Sequence, residues 1–245
     1  MLNCDKNFWE NKPRNVITTL KKYKKFPIIF FQIDFEEKID DVITVRINSD
    51  DLKYSKRTDT KNRKEFVCLE GGEFINFYDF NEDDVAVLMD YDILQQRDFT
   101  DEEIDFLNGI KENEFYLTRN EFTDNLTSKD EADKLICNPE FIENMEEFGV
   151  YNTGVQIARV STWRRLFESW KNEYKTWEDN CKHHATGQLA INYILHKQQT
   201  LKELTPVFHG AWFLHNLNHS TINGEFYVDN QKVLFNHHSW HSDFI

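Results

Sequence analysis

Asp90 and Asp92 stand two residues apart at the end of the apolar run Val85-Ala86-Val87-Leu88-Met89. An extended chain turns residues i and i+2 to the same side, with Cα atoms about 7 Å apart. Two carboxylates placed in this way can address one hard cation. Magnesium or manganese accepts carboxylate oxygens while keeping positions open for water and phosphate oxygens, so a strand ending in an acidic pair suits a diphosphate ligand. The same residues also suit a solvated strand exit, because Asp is common where a chain turns. In a chain with 43 acidic residues, Asp-x-Asp takes its meaning from context.

Other residues with chemical capacity cluster late in the chain. All nine histidines, His183, His184, His196, His209, His215, His219, His237, His238 and His241, lie in the last third. With Cys181 beside His183 and His184 they offer zinc-type donors, which makes a histidine-rich metallohydrolase one reading of the chain. No His-Glu-x-x-His framework accompanies them, and adjacent histidines point apart on a helix. Surface positions or hydrogen-bonded core positions account for most of them. Asn152 carries both donors and acceptors, and Gly154 allows close backbone approach, a pairing suited to sugar hydroxyls as well as to an ordinary turn. Arg97 follows the acidic pair closely and can neutralise phosphate or pair with Asp98 or Asp101.

These groups need a scaffold, and the pattern of the chain supplies one. Pro13 opens an amphipathic stretch through Val16, Ile17, Leu20 and Tyr23, and Phe26 to Ile33 reads as a buried strand. Val42 to Ile47 is a second strand, Phe66 to Phe77 is helical in pattern, and Val85 to Met89 is a short strand covered on both faces. Thr100 with Glu103, and Ser128 with Glu131, form capping boxes ahead of helices. Glu114 to Thr118 and Val155 to Val160 read as strands. Ser161 is placed to cap a long helix bearing Trp163, Leu166, Phe167, Trp170 and Tyr174, and Thr186 to His196 is a further helix. Beyond Thr205 come short apolar pieces, Val207 to Phe208, Phe226 to Val228 and Val233 to Phe235. Alternating strands and helices predict one α/β domain with a mostly parallel central sheet flanked by helices, and ligands in such sheets sit beyond the strands' carboxyl ends.

Composition narrows the classes. The 245 residues are 40% apolar and include 21 Phe and 6 Trp, enough for one substantial core and too few for two enzyme domains. A formal charge of −14 argues against a general electrostatic grip on nucleic acid or anionic membrane. Apolar runs such as Ile28 to Phe31 are too short to span a bilayer, no targeting layout opens the chain, and Cys4, Cys68, Cys137 and Cys181 show no paired spacing. A cytoplasmic setting is expected.

Taken together, four segments resemble the family 8 glycosyltransferases, the group containing glycogenin and the bacterial lipopolysaccharide galactosyltransferases. Val85 to Asp92 is similar to that family's strand-borne Asp-x-Asp. Tyr151-Asn152-Thr153-Gly154-Val155 resembles its Phe-Asn-Ser/Ala-Gly-Val element, and Gln188-Leu189-Ala190-Ile191-Asn192 its Asp-Gln-x-x-Leu-Asn helix. Val233-Leu234-Phe235-Asn236-His237 resembles the closing strand whose histidine completes a metal site, with Trp240 near the family's Lys-Pro-Trp. Two departures stand out. Gly187 occupies the place of the Asp before Gln, and the Lys that follows the final histidine is missing from His237-His238-Ser239-Trp240-His241.

The resemblance implies a GT-A, Rossmann-like domain over 1–245, with residues 1–100 as the nucleotide-binding half and 101–245 as the acceptor half. It implies a glycosyltransferase that retains anomeric configuration and uses a nucleotide-sugar donor, by default a UDP-sugar. It further implies Mn2+ or Mg2+ held by Asp90, Asp92 and His237, with His238 or His241 as alternatives for the histidine. Asp92 and Gln188 would be the catalytic positions. Asn3, Asp5, Phe8, Trp9, Asp90, Asn152 and Gly154 would hold the donor. The acceptor stays open among a glycan, a protein, a lipid-linked sugar and a modified nucleic-acid base. A sugar-nucleotide-binding module without catalysis is the other alternative.

Overall fold

The computed structural model describes residues 1–11, 15–52, 56–58, 64–66, 71–120, 149–178, 186–211 and 218–237. In chain order the strands are β1 (Leu2–Asp5), β2 (Ile29–Ile33), β3 (Ile43–Ile47), β4 (Lys56–Thr58), β5 (Lys64–Phe66), β6 (Val85–Met89), β7 (Ile93–Gln95), β8 (Phe115–Asn120), β9 (Val150–Arg159), β10 (Leu201–Leu204), β11 (His209–Ala211), β12 (His219–Ile222), β13 (Glu225–Val228), β14 (Gln231–Lys232) and β15 (Phe235–His237). The helices are α1 (Lys6–Asn11), α2 (Asn15–Lys22), α3 (Gly71–Phe74), α4 (Asp101–Gly109), α5 (Val160–Glu178) and α6 (Thr186–Lys197).

Seven strands form the central sheet in the order β10-β8-β9-β6-β1-β2-β3. Only β9 runs against its neighbours, pairing antiparallel with both β6 and β8, so the sheet is mostly parallel as the alternating pattern predicts. Both faces are covered, which explains the continuously apolar strands. Ala86, Leu88, Phe115, Leu117 and Ala158 pack under Trp163, Leu166, Phe167 of α5 and Ile191, Ile194, Leu195 of α6. On the opposite face Leu2, Phe30, Met89, Val155 and Ile157 meet Trp9 of α1, Val16 and Leu20 of α2, and Leu107 of α4. A second, three-stranded sheet, β11-β15-β7, sits against that second face through Phe235. No described helix is long and apolar enough to cross a membrane.

Several local expectations are met and others shift. Thr100 accepts from the Glu103 amide while the Glu103 carboxylate accepts from the Thr100 amide, the reciprocal box that starts α4. β9 begins at Val150, five residues before the apolar run, because β8 on one side takes up the polar Tyr151-Asn152 stretch. Ser161 lies inside α5 rather than capping it. The helix opens at Val160, and the carbonyls of Asp84 and Glu82 accept from the Val160 and Ser161 amides. Of the helix expected over 66–77, Phe66 ends β5, residues 67–70 lie outside the described residues, and the rest is one turn, α3, followed by a 3-10 turn at Ile75–Phe77. Its glycines support helix weakly. The capping box at Ser128 lies outside the described residues.

Candidate metal and donor site

The chain leaves β6 at Asp90, whose amide donates to the Gly154 carbonyl at 2.8 Å, and a turn closed by Ile93 N to Asp90 O delivers it into β7. Tyr91, between the acidic residues, is drawn inward and stacks on Phe30 with centroids 5.8 Å apart. That inward anchor leaves Asp90 and Asp92 on the rim. β15 returns antiparallel along β7 with His237 opposite Ile93, so the last described residue arrives beside the acidic pair. His237 Nε2 lies 3.3 Å from Asp92 Oδ1, and donor atoms of Asp90, Asp92 and His237 all lie within 4.8 Å of one another. Burial pushes the His237 imidazole down, but the hydrogen bond with Asp92 and the charges of Asp92 and Asp90 outweigh it and hold its pKa above the ordinary histidine value.

Two carboxylates and one imidazole make a donor set suited to Mn2+ or Mg2+, with the nitrogen favouring the former. The surroundings are shaped to keep the imidazole there. A Cβ added at Gly154 would meet His237 Cε1 at 2.6 Å and Nδ1 at 2.7 Å. Glycine at 154 is therefore demanded by the histidine. Asn152 folds back within the same segment, its Oδ1 accepting from the Gly154 amide at 2.7 Å.

α6 is fixed to β9 by Asn192, whose amide donates to the Tyr151 carbonyl at 2.9 Å and accepts from the Tyr151 amide at 2.7 Å. Gln188 belongs to the first turn of α6, about 6 Å nearer the helix start than Asn192. Its side chain lies outside the described set, as do those of Asn3, Asp5 and Phe8, whose backbones occupy β1 and α1 beside the end of β6.

Trp9, which the resemblance implies among the donor-holding residues, sits in the core. It is 5% exposed, packs against Phe35 and Phe30 with centroids at 5.6 and 5.3 Å, and donates through Nε1 to Glu37. Its large apolar area is better satisfied in the core than at the rim. Arg97 is bound to neither Asp98 nor Asp101 through a carboxylate. It makes a two-pronged pair with Glu103 and donates to the Lys232 carbonyl, tying α4 to β14. His219 is exposed beside Phe226. His183, His184, His215, His238, His241 and Trp240 lie outside the described residues. One histidine that the sequence leaves without a role, His209, is buried against His237. Its place inside the apolar piece Val207-Phe208-His209 was the available signal.

No protein-family profile and no curated protein matches the sequence. Solved structures do match. The galactosyltransferase LgtC in complex with donor and acceptor sugar analogues superposes with a TM-score of 0.63 at 10% identity, over 99% of this chain and 89% of that one. This chain has the GT-A fold. An active-site mutant of LgtC, glutamine replaced by glutamate, matches at 0.62 and 12% identity, again over 99% and 89%. Mouse xyloside xylosyltransferase 1 in its apo form matches at 0.58 and 12%, over 98% and 96%. At these identities the GT-A likeness is one of architecture, in which β6 ends at the acidic pair.

Proposed function

We propose that this chain is a metal-dependent glycosyltransferase that moves a sugar from a nucleoside-diphosphate sugar, by default a UDP-sugar, to an acceptor in the cytoplasm. The observation that carries the reading is the convergence of Asp90, Asp92 and His237 at the end of β6, on the fold of LgtC and the xylosyltransferase. A bound Mn2+ or Mg2+ would neutralise the negative charge that grows on the leaving diphosphate as the glycosidic bond breaks.

The chain's own residues divide the remaining tasks. Asp90, Asp92 and His237 hold the ion, and Gly154 keeps room for the imidazole. Asn152 Oδ1 already accepts from the Gly154 amide, and its amide nitrogen would donate to a sugar hydroxyl. Residues 1–100 supply the nucleotide half, with Asn3 and Asp5 on β1, Phe8 on α1, and Trp9 packed in the core beneath. Residues 101–245 supply the acceptor half. Gln188, in the first turn of α6, is assigned the catalytic role at the sugar; the solved LgtC mutant in which an active-site glutamine is changed lends weight to that role. Transfer with retention of configuration completes the reading.

The test is a donor screen with Mn2+, read by release of free nucleoside diphosphate, alongside UDP-dependent thermal stabilisation. Stabilisation should vanish in chelator, and Asp92→Asn should abolish turnover with little change in melting temperature. Stabilisation that persists undiminished in chelator removes the metal, and unfolding of Asp92→Asn makes that residue structural.

A further inference from the structure

His209 and His237 lie face to face, with ring centroids 5.6 Å apart and planes 27° from parallel. They belong to neighbouring parallel strands of the small sheet, where His209 stands opposite Phe235 and Ala211 opposite His237. His209 is 1% exposed, and its Nδ1 shares a 2.9 Å hydrogen bond with Oγ1 of Thr118, itself 1% exposed. Thr118 lies on β8, opposite Asn152 of β9. The bond therefore crosses from the small sheet that carries His237 to the central sheet that carries Gly154. Gly154 closes one approach to the His237 ring, and the His209 ring covers a face.

His209 Nε2 is buried without a hydrogen-bond partner among the described residues. Burial, and then the neighbouring His237, hold His209 well below the ordinary histidine pKa, so the ring is neutral. A buried nitrogen left unbonded weakens folding, whereas an apolar side chain of similar size would not. Stability alone is a poor account of a histidine here.

We propose that His209, braced by Thr118, is a positioning residue of the metal centre. It sets the plane of the His237 imidazole so that Nε2 stays turned toward Asp92. The proposal rests on the reading of Asp90, Asp92 and His237 as a metal site. Groups that orient a metal-bound histidine commonly change metal affinity by about 10–100-fold when removed.

The experiment titrates Mn2+ in the presence of UDP, following free Mn2+ by electron paramagnetic resonance, for wild type, His209→Leu, Thr118→Val, their double variant and Asp92→Asn. His209→Leu should weaken Mn2+ by roughly tenfold or more while the melting temperature without metal holds or rises. Thr118→Val, which keeps size and shape, should weaken it in the same direction, and the double variant should be no weaker than His209→Leu alone, because the two residues act as one unit. Unchanged affinity in folded His209→Leu and Thr118→Val overturns the proposal, as does a loss of affinity that only tracks a fall in melting temperature. Should His209→Leu fail to fold, Thr118→Val decides by the same criteria. Failure of the wild type to bind Mn2+, or wild-type affinity in Asp92→Asn, instead overturns the metal reading beneath it.

Discussion

Gly154→Ala is the sharpest perturbation the site offers. The added carbon would stand 2.6 Å from His237 Cε1 and 2.8 Å from Asn152 Oδ1, whereas carbon atoms in contact settle at about 3.5–4.0 Å. Relief requires His237 to retreat by about 1 Å. Metal–ligand distances tolerate roughly 0.2 Å, so the retreat removes the imidazole from the donor set. The same crowding should destabilise the fold by about 1–3 kcal/mol, which for a chain of this size lowers the melting temperature by roughly 2–12 °C. Calorimetric titration of Mn2+ and UDP, run well below the melting temperature, should show affinity reduced by about tenfold at least. Gly109→Ala is the control, since a Cβ there meets nothing within 4 Å, and it should bind as wild type. Wild-type Mn2+ and UDP affinity in Gly154→Ala would refute the placement of His237 as a ligand.

Two further outcomes follow from the same centre. His237→Ala should weaken metal-dependent UDP stabilisation while His219→Ala, at an exposed position on β12, should not; equal effects of the two would dissolve the role given to β15. Because the His237 pKa is raised by its acidic neighbours, Mn2+ must displace a proton there, and affinity should fall as pH drops through a value above 6.5. The metal-free protein should respond in the opposite sense. Its Asp92–His237 pairing contributes stability that is fully present below the unfolded histidine pKa and fades as pH rises through the raised one. Titrations and melts between about pH 6 and pH 8 check both slopes, and flat Mn2+ affinity across that range contradicts the prediction.

What the sequence discloses is governed by how local each cause is. Val85 to Met89 is apolar without interruption because both faces of β6 are covered, and the Thr100–Glu103 box is a contact between residues three apart. Such features are written where they act. The start of β9 is not, since Tyr151 and Asn152 are held in the sheet by Arg119 and Thr118 across the ladder and, for Tyr151, by Asn192 from α6. Of the closing strand expected over Val233 to His237, Phe235–His237 pair as a strand, while the Val233 and Leu234 amides bond to Phe226 and Val207 and the strand register is set by β7 and β11. The order of the motifs, through their resemblance, is enough to name Asp90, Asp92 and His237 as one group, and their donor atoms lie within 4.8 Å of one another. Trp9 and His209 illustrate the limit, for their burial depends on partners that no neighbouring residue announces.

The pairing of β15 with β7 also fixes when the centre can exist. Chains emerge from the ribosome amino end first, so β6 and its two carboxylates are made long before Phe235 to His237. Until that final piece docks, the acidic pair is a rim without its nitrogen donor, and the imidazole has neither Gly154 to lie against nor His209 behind it. On the metal-site reading proposed above, capture of an ion is a late event in the life of each molecule, one that marks a chain whose two sheets have already met.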